Sequence, residues 1–255
     1  LINKIDSFFV FLLLQKMIPV RLDCKNIRSE RQRINDESVF QAIKNSQKSE
    51  VLSKINGLEL NRVLHSTGLS IDALIEACSK NDIMNRILSG RISKNASRQG
   101  AKDETTQIQV CSVVAAPFGI QIENISPIAF RPKKTGEIVS ADTMKSANIS
   151  KDECLKSFDG RISGKLSGWI FAKVVFGAGG HQDNVFEEAD CLCHWVSQYH
   201  SENPDLFVLL IDTDLYDKFE TLQKKYAHIP NILITNHYDF QNYLINTYSN
   251  KCEQI

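Results

Sequence analysis

The sequence has no apolar run that could cross a bilayer: its most apolar stretch, "SFFVFLLL" at 7–14, falls far short of the roughly 20 residues that a spanning helix needs. A cleaved signal peptide is disfavoured as well, because "QKMIPVRLDCKN" turns polar and basic at once with no small-residue cleavage pattern. Met17 follows the apolar run after Gln15 and Lys16. The expected natural start is therefore Met17, with residues 1–16 an upstream translation or an amphipathic extension. A disulfide framework is also missing. The seven cysteines are odd in number and scattered, with only Cys191 and Cys193 close together, which predicts reduced thiols and a cytoplasmic protein. "CLCH" at 191–194 is half of a zinc site, but no second Cys/His pair stands at a useful spacing. Internal repeats and low-complexity tracts are absent, and ordinary charged and apolar fractions argue against disorder.

An excess charge of one sign is lacking too, with 30 basic and 30 acidic residues, yet the distribution is uneven. Residues 86–173 carry 14 basic and 8 acidic side chains, whereas residues 174–255 carry 4 and 12. A polyanion would be drawn to the middle of the chain; the plainer reading is that such blocks are solvated faces.

At 255 residues the chain can bury one large core with a helical annex. Periodicity predicts an N-terminal helical subdomain over 17–90, from "ESVFQAIKNSQKSEVLSKI", "LELNRVLHST" and "SIDALIEACSKNDIMNRILSG". Within it, "LNRVLHSTGLSIDALIEACSK" has the helix, glycine-containing turn, helix form of a DNA-binding helix-turn-helix. Helical hairpins that pack for structural reasons share that form, and only Lys80 stands at the second helix's end to meet a phosphate. From about Ala101 to Ala116 a helix is expected, then a lysine-containing connector. Strands and helices alternate thereafter: "GRIS", "WIFAKVVF", "LFVLLID" and "NILITN" as strands, with helices between the later ones and after the last. The expected class is α/β, a central mixed sheet flanked by helices over 91–255.

"FDGRISGKLSGWIFAKV" at 158–174 carries the chemistry. If Gly164 to Gly168 form a hairpin loop, residue 163 pairs with 169, 161 with 171, and Asp159 lies across from Lys173. Directly opposed side chains share a face, so carboxylate and ammonium would project together. Taken alone that is an ordinary cross-strand ion pair. The neighbourhood adds more: "GAGG" allows close backbone approach, and "HQDN" leads into a helix with Glu187 and Glu188. Two or three acids could hold Mg2+, which activates a water for in-line attack on a phosphodiester, with Lys173 orienting that water or stabilising charge at phosphorus.

Asp159-Gly160, a short hairpin and an apolar strand ending in Lys173 resemble the active site of the PD-(D/E)XK nucleases. "GGHQDN" before a helix resembles the type II restriction endonucleases among them, and "SKNASRQGAKDE" at 93–104 resembles the basic entry to the first core helix of such enzymes. The resemblance covers roughly 90–245. It implies a restriction-endonuclease-like core and Mg2+-dependent cleavage of double-stranded DNA by a homodimer, within a restriction-modification system whose cognate DNA methyltransferase is a partner. Asp159 and Glu187 would bind the metal, Lys173 would assist the water, and Glu104 would be an auxiliary acid. Arg91, Lys94, Ser97, Arg98, Gln99, Lys102, His181, Gln182 and Asn184 would meet DNA, as would Arg131, Lys133 and Lys134. Phe158 replaces the family's proline. Phe171 stands where an acid is usual two residues before the lysine, and Glu187, fourteen residues after it, is the position to which some restriction enzymes move that acid. Asn184 to Glu187 also fits a capping box.

Two other functions are open on the residues. One is a DNA-binding regulator using the helices of 57–80. The other is a haloacid dehalogenase-like phosphatase, on the strand-end "LLIDTD" at 209–214, although Tyr216 replaces the hydroxyl residue expected there; Asp212 then is either nucleophile or strand-end cap.

Overall fold

A computed structural model describes residues 18–96, 99–126, 128–176 and 183–252 of the chain. The chain divides into two compact units, Asp23–Gly100 and a second made of Ala101–Ile255 with the residues through Leu22. The expected segment 1–16 lies outside the described residues. The helical unit is thus ten residues longer at its C-terminal end than the pattern suggested, and 18–22 belong with the α/β unit.

The helical unit contains α1 (Cys24–Lys44), α2 (Lys48–Lys54), α3 (Gly57–Thr67), α4 (Ile71–Ser79) and α5 (Asp82–Ile92). Where periodicity suggested a single helix over 70–90, Asn81 breaks it, its side chain accepting from the amides of Ile83 and Met84 to start α5. The apolar faces close on one core containing Val39, Ile43, Leu60, Val63, Leu74, Ile75, Leu88 and Ile92. The helix-turn-helix form is realised as α3, Gly68 in the left-handed region at φ 66° and α4. Lys80, the cation at the end of the second helix, is tied to Glu76 at 2.7 Å.

The α/β unit runs α6 (Gly100–Ala115), β1 (Ile120–Asn124), β2 (Phe130–Pro132), β3 (Ile138–Ser140), α7 (Ala141–Ser146), β4 (Gly160–Gly164), β5 (Gly168–Val175), α8 (Asp183–Tyr199), β6 (Leu206–Thr213), α9 (Tyr216–Tyr226), β7 (Ile232–Thr235) and α10 (His237–Cys252). Five strands form a mixed sheet in the order β1-β4-β5-β6-β7, while β2 and β3 make a separate ribbon. β1, β4 and β5 are antiparallel neighbours; β5, β6 and β7 are parallel, joined by the crossover helices α8 and α9. β5 and β6 read as near-continuous apolar runs because both of their faces are covered. One face packs Phe158, Trp169, Phe171, Phe207 and Leu209 against Phe186, Leu192, Trp195 and Val196 of α8 and Leu222 and Tyr226 of α9. The other packs Ile162, Ile170, Ala172, Val208 and Leu210 against Ile108, Cys111 and Val114 of α6 and Phe240 and Leu244 of α10. Among the described residues no helix is long and apolar enough to cross a membrane.

Two glycines set the sheet's spacing. A Cβ on Gly168 would strike the carbonyl of Leu206, and one on Gly164, at φ 92°, would strike the carbonyl of Gly119. Below them, Asp205 accepts from Ser167, from Arg161 at 3.2 Å and from the Trp169 indole at 3.2 Å, while the Arg161 guanidinium lies 4.1 Å over the Trp169 ring. This network closes the end of the sheet where β5 and β6 begin.

Candidate active site

β5 outruns its antiparallel neighbour. The β4–β5 ladder pairs Gly160 with Ile170, Arg161 with Trp169 and Ile162 with Gly168, a register two residues away from the one the hairpin geometry predicted. The reason is Gly164: it pairs with Ile120 of β1 instead of closing the turn. A shift of two keeps every side chain on its expected face. Asp159 now stands level with Phe171, its amide donating to the Ile170 carbonyl at 2.8 Å, and Lys173 meets it as a diagonal neighbour, a separation long side chains can bridge.

Beyond Ile170 the β5 edge has no β4 residue to pair with, and a side chain takes the ladder's place: the Ala172 amide donates to Asp159 Oδ2 at 2.9 Å. Lys173 Nζ lies 3.2 Å from the same oxygen, 2.8 Å from Glu104 Oε1 on the first turns of α6, and 2.7 Å from the Ala172 carbonyl. Phe158, 1% exposed, stacks on Trp169 at 4.9 Å and anchors the backbone before Asp159. Phe171 points into the core and floors the cluster, its ring centroid 4.7 Å from Lys173 Nζ.

Three segments distant in sequence thus converge on one ammonium, with side chains only 12–19% exposed. Burial pushes the carboxyls of Glu104 and Asp159 above their ordinary range although Lys173 pulls them down. Burial alone would lower Lys173, but Asp159 and Glu104 together hold it above the usual lysine range. Lys173 therefore stays an ammonium at neutral pH and is a donor, not a general base. Two carboxylates against one ammonium leave the cluster one negative charge when fully ionised.

Of the α8 acids, it is Glu188 whose charge raises Asp159; its Oε1 lies 3.3 Å from Lys156 Nζ. Glu187, the metal ligand that the resemblance implies, is exposed and lines a groove of about 380 Å³ with Leu155, Lys156, Asn184, Glu188 and Cys191. The structure does not bring Glu187 onto the Lys173 ammonium. Among the described residues no group of three or more His, Cys, Asp or Glu could hold a metal ion; in "CLCH" Cys191 is exposed and Cys193 is buried. The donors at the cluster are hard oxygens, which suit Mg2+; that ion retains several waters and is commonly held by one or two carboxylates together with substrate phosphate. Glu104 and Asp159 meet that smaller requirement.

The expected DNA contacts scatter. Ser97, Arg98, His181 and Gln182 lie outside the described residues. Arg91, Lys94 and Gln99 belong to the helical unit, where Arg91 shares a groove with Asp36 and Glu59, and Lys94 Nζ donates to the Ser53 carbonyl at 2.7 Å. Lys102 is exposed on α6 and Asn184 on the first turn of α8. Arg131 donates to the Leu155 carbonyl at 3.2 Å. Lys133 and Lys134 follow β2: the Lys133 carbonyl accepts from Trp195 of α8 at 2.7 Å, and the Lys134 amide donates to the Glu153 carbonyl at 2.9 Å. Lys156, which the sequence pattern did not single out, is the exposed cation beside Glu188.

Sequence reasoning also passed over Gln107 and His237, which stand behind the cluster on either side of Asp212. Asp212 is 8% exposed and accepts from His237 Nδ1 at 2.7 Å and from Gln107 Nε2. An aspartate enclosed in this way is not presented as a nucleophile, which supports the strand-end reading of "LLIDTD". No protein-family model matches this chain, and no curated protein is significantly similar to it.

Proposed function

We propose that the protein is a Mg2+-dependent DNA endonuclease of the type II restriction kind, resembling the PD-(D/E)XK nucleases. The observation that carries this reading is the convergence of Glu104, Asp159 and Lys173 at the unpaired end of β5, with the ammonium 2.8 Å and 3.2 Å from the two carboxylates. Its chemistry is that of phosphodiester hydrolysis. Water attacks phosphorus in line, the bond to the leaving oxygen breaks, and that oxygen takes up a proton. Glu104 and Asp159 would hold the metal, which when bound supplies a water of lowered pKa and neutralises phosphate charge. Lys173, fixed as a cation, donates to the attacking water or to a phosphoryl oxygen as charge develops there. The carboxylates keep its ammonium in place until the phosphate arrives. The exposed cations Lys102 and Lys156 stand on segments that carry site residues or lead into them, and are candidates for phosphate contacts. A homodimer would place one such site on each strand of the duplex, and a cognate methyltransferase would protect the host's copies of the sequence.

The test is digestion of a sequenced phage DNA with and without Mg2+, alongside Asp159→Ala and Lys173→Ala. Discrete fragments from the parent with Mg2+, and none from either variant, support the reading. DNA left intact but shifted on a gel would instead indicate a binding protein, and cleavage that survives both changes would refute the assignment.

A further inference from the structure

Gln107 is fully buried on α6, three residues after Glu104 and so on the same side of that helix. Its Nε2 donates to Asp212 at the end of β6 and, at 3.2 Å, to the main-chain carbonyl of Lys173 near the end of β5. Both partners are acceptors, so only the amide's NH2 group can face them, and its Oε1 must point away. That oxygen is buried with no hydrogen-bond partner among the described residues. A buried acceptor left unpaired is destabilising, so fold stability does not by itself explain glutamine here.

The acceptor at the other end is itself held. His237 Nε2 accepts the Leu22 amide at 2.9 Å, which leaves the ring proton on Nδ1 to donate to Asp212 at 2.7 Å. Asp212 lies beside Val174 in the parallel ladder. The chain from Leu22 through His237, Asp212 and Gln107 to the Lys173 carbonyl therefore braces the carboxyl ends of β5 and β6 against α6, the helix that carries Glu104.

We propose that Gln107 is a positioning residue for the active site: by tying the Lys173 main chain and Asp212 to α6, it sets the separation between the Lys173 ammonium and the Glu104 carboxylate. This rests on the nuclease reading for its consequence in catalysis, and on geometry alone for its effect on Lys173. Methionine at 107 keeps length and burial but cannot donate. Asparagine at 212 keeps shape but removes the carboxylate that holds the Gln107 amide.

The experiment compares the parent with Gln107→Met and Asp212→Asn in two readouts. One is DNA cleavage with Mg2+, resolved into kcat and KM. The other is the NMR resonance positions of the Lys173 carbonyl and side-chain nitrogen in the metal-free protein, assigned with Lys173→Arg. Folding is checked by circular dichroism. The expected result is kcat lower by about 10–100-fold, the size typical of losing a group that orients a site residue, with KM within about 3-fold and both Lys173 resonances displaced in each folded variant. Unmoved Lys173 resonances and an unchanged kcat in a folded Gln107→Met protein would overturn the proposal. If the resonances move but neither parent nor variants cut DNA, the positioning role stands and the nuclease reading fails. If Gln107→Met alone fails to fold, Asp212→Asn decides by the same two readouts.

Discussion

Lys173 Nζ sits 2.8 Å from Glu104 Oε1, a carboxylate 69 residues earlier in the chain and on a different element. Asp159 completes the arrangement from just ahead of β4, so the ammonium is shared by two half-buried acids. Removing it leaves both carboxylates without their counter-charge. Lys173→Met is expected to destabilise the fold by about 3 kcal/mol, the usual size for breaking a buried pair from one side, in urea unfolding without metal, and to abolish cleavage. Lys173→Arg keeps the charge and should unfold within about 1 kcal/mol of the parent, yet cleave poorly, since a planar guanidinium cannot reproduce the ammonium's donor geometry.

Glu104→Gln should separate activity from stability. Burial holds the Glu104 carboxyl above its ordinary range in the folded protein, so its favourable contribution is present below the unfolded value and is lost as pH rises through the folded one. The amide has no such dependence. The variant is expected to melt near the parent's temperature in mild acid and above it at neutral and alkaline pH, while cleavage falls by at least about 100-fold. A variant that melts well below the parent at neutral pH would contradict this.

Asp205 is expected to act in the opposite sense. Burial would raise it, but hydrogen bonds from Ser167 and Arg161 win and hold it below the usual carboxylate range. Its contribution is present above the unfolded value and lost as pH falls through the folded one. Asp205→Asn should therefore lower the melting temperature at neutral pH, and that difference should shrink on acidification below the ordinary aspartate range.

Glu188 and Glu187 give a direct comparison. Because the charge of Glu188 reaches Asp159 whereas Glu187 is exposed in the neighbouring groove, Glu188→Gln is expected to raise the Mg2+ concentration for half-maximal cleavage by about 10-fold. Glu187→Gln should change it by less than about 2-fold. The reverse order would restore the ligand that the resemblance implies.

Gly168→Ala tests the sheet itself. The added Cβ would collide with the Leu206 carbonyl, and main chain cannot yield as a side-chain tip can. A loss of about 3 kcal/mol or more, or failure to fold, is the expected result in thermal or urea unfolding.

The long periodic elements were readable from the residues. α6 lies within one residue of the helix that the pattern predicted, and β5, β6 and β7 fall on the apolar runs expected to be strands. β1 was not readable because five residues after Gly119 carry little pattern, nor were the three-residue strands of the ribbon. The hairpin register was off by two because Gly164 and Gly168 looked like turn residues, whereas both are required by close backbone approach to neighbouring strands. The shift spared the site, since parity decides which face a side chain takes. Asp159 and Lys173 were legible as a pair from the hairpin, whereas Glu104 entered only through the resemblance. Gln107 and His237 were not: a buried glutamine on a helix has a role only once β5 and β6 are packed beside it, and no spacing rule reports that.

The overhang of β5 beyond β4 has a temporal consequence during synthesis. Its far end is held by β6, through pairs as late as Val175 with Thr213, and by a brace that reaches His237. A nascent chain that has already exposed Glu104, Asp159 and Lys173 to solvent still lacks the strand that fixes them in place. For the nuclease proposed above, competence would therefore arrive only once the chain through His237 has left the ribosome.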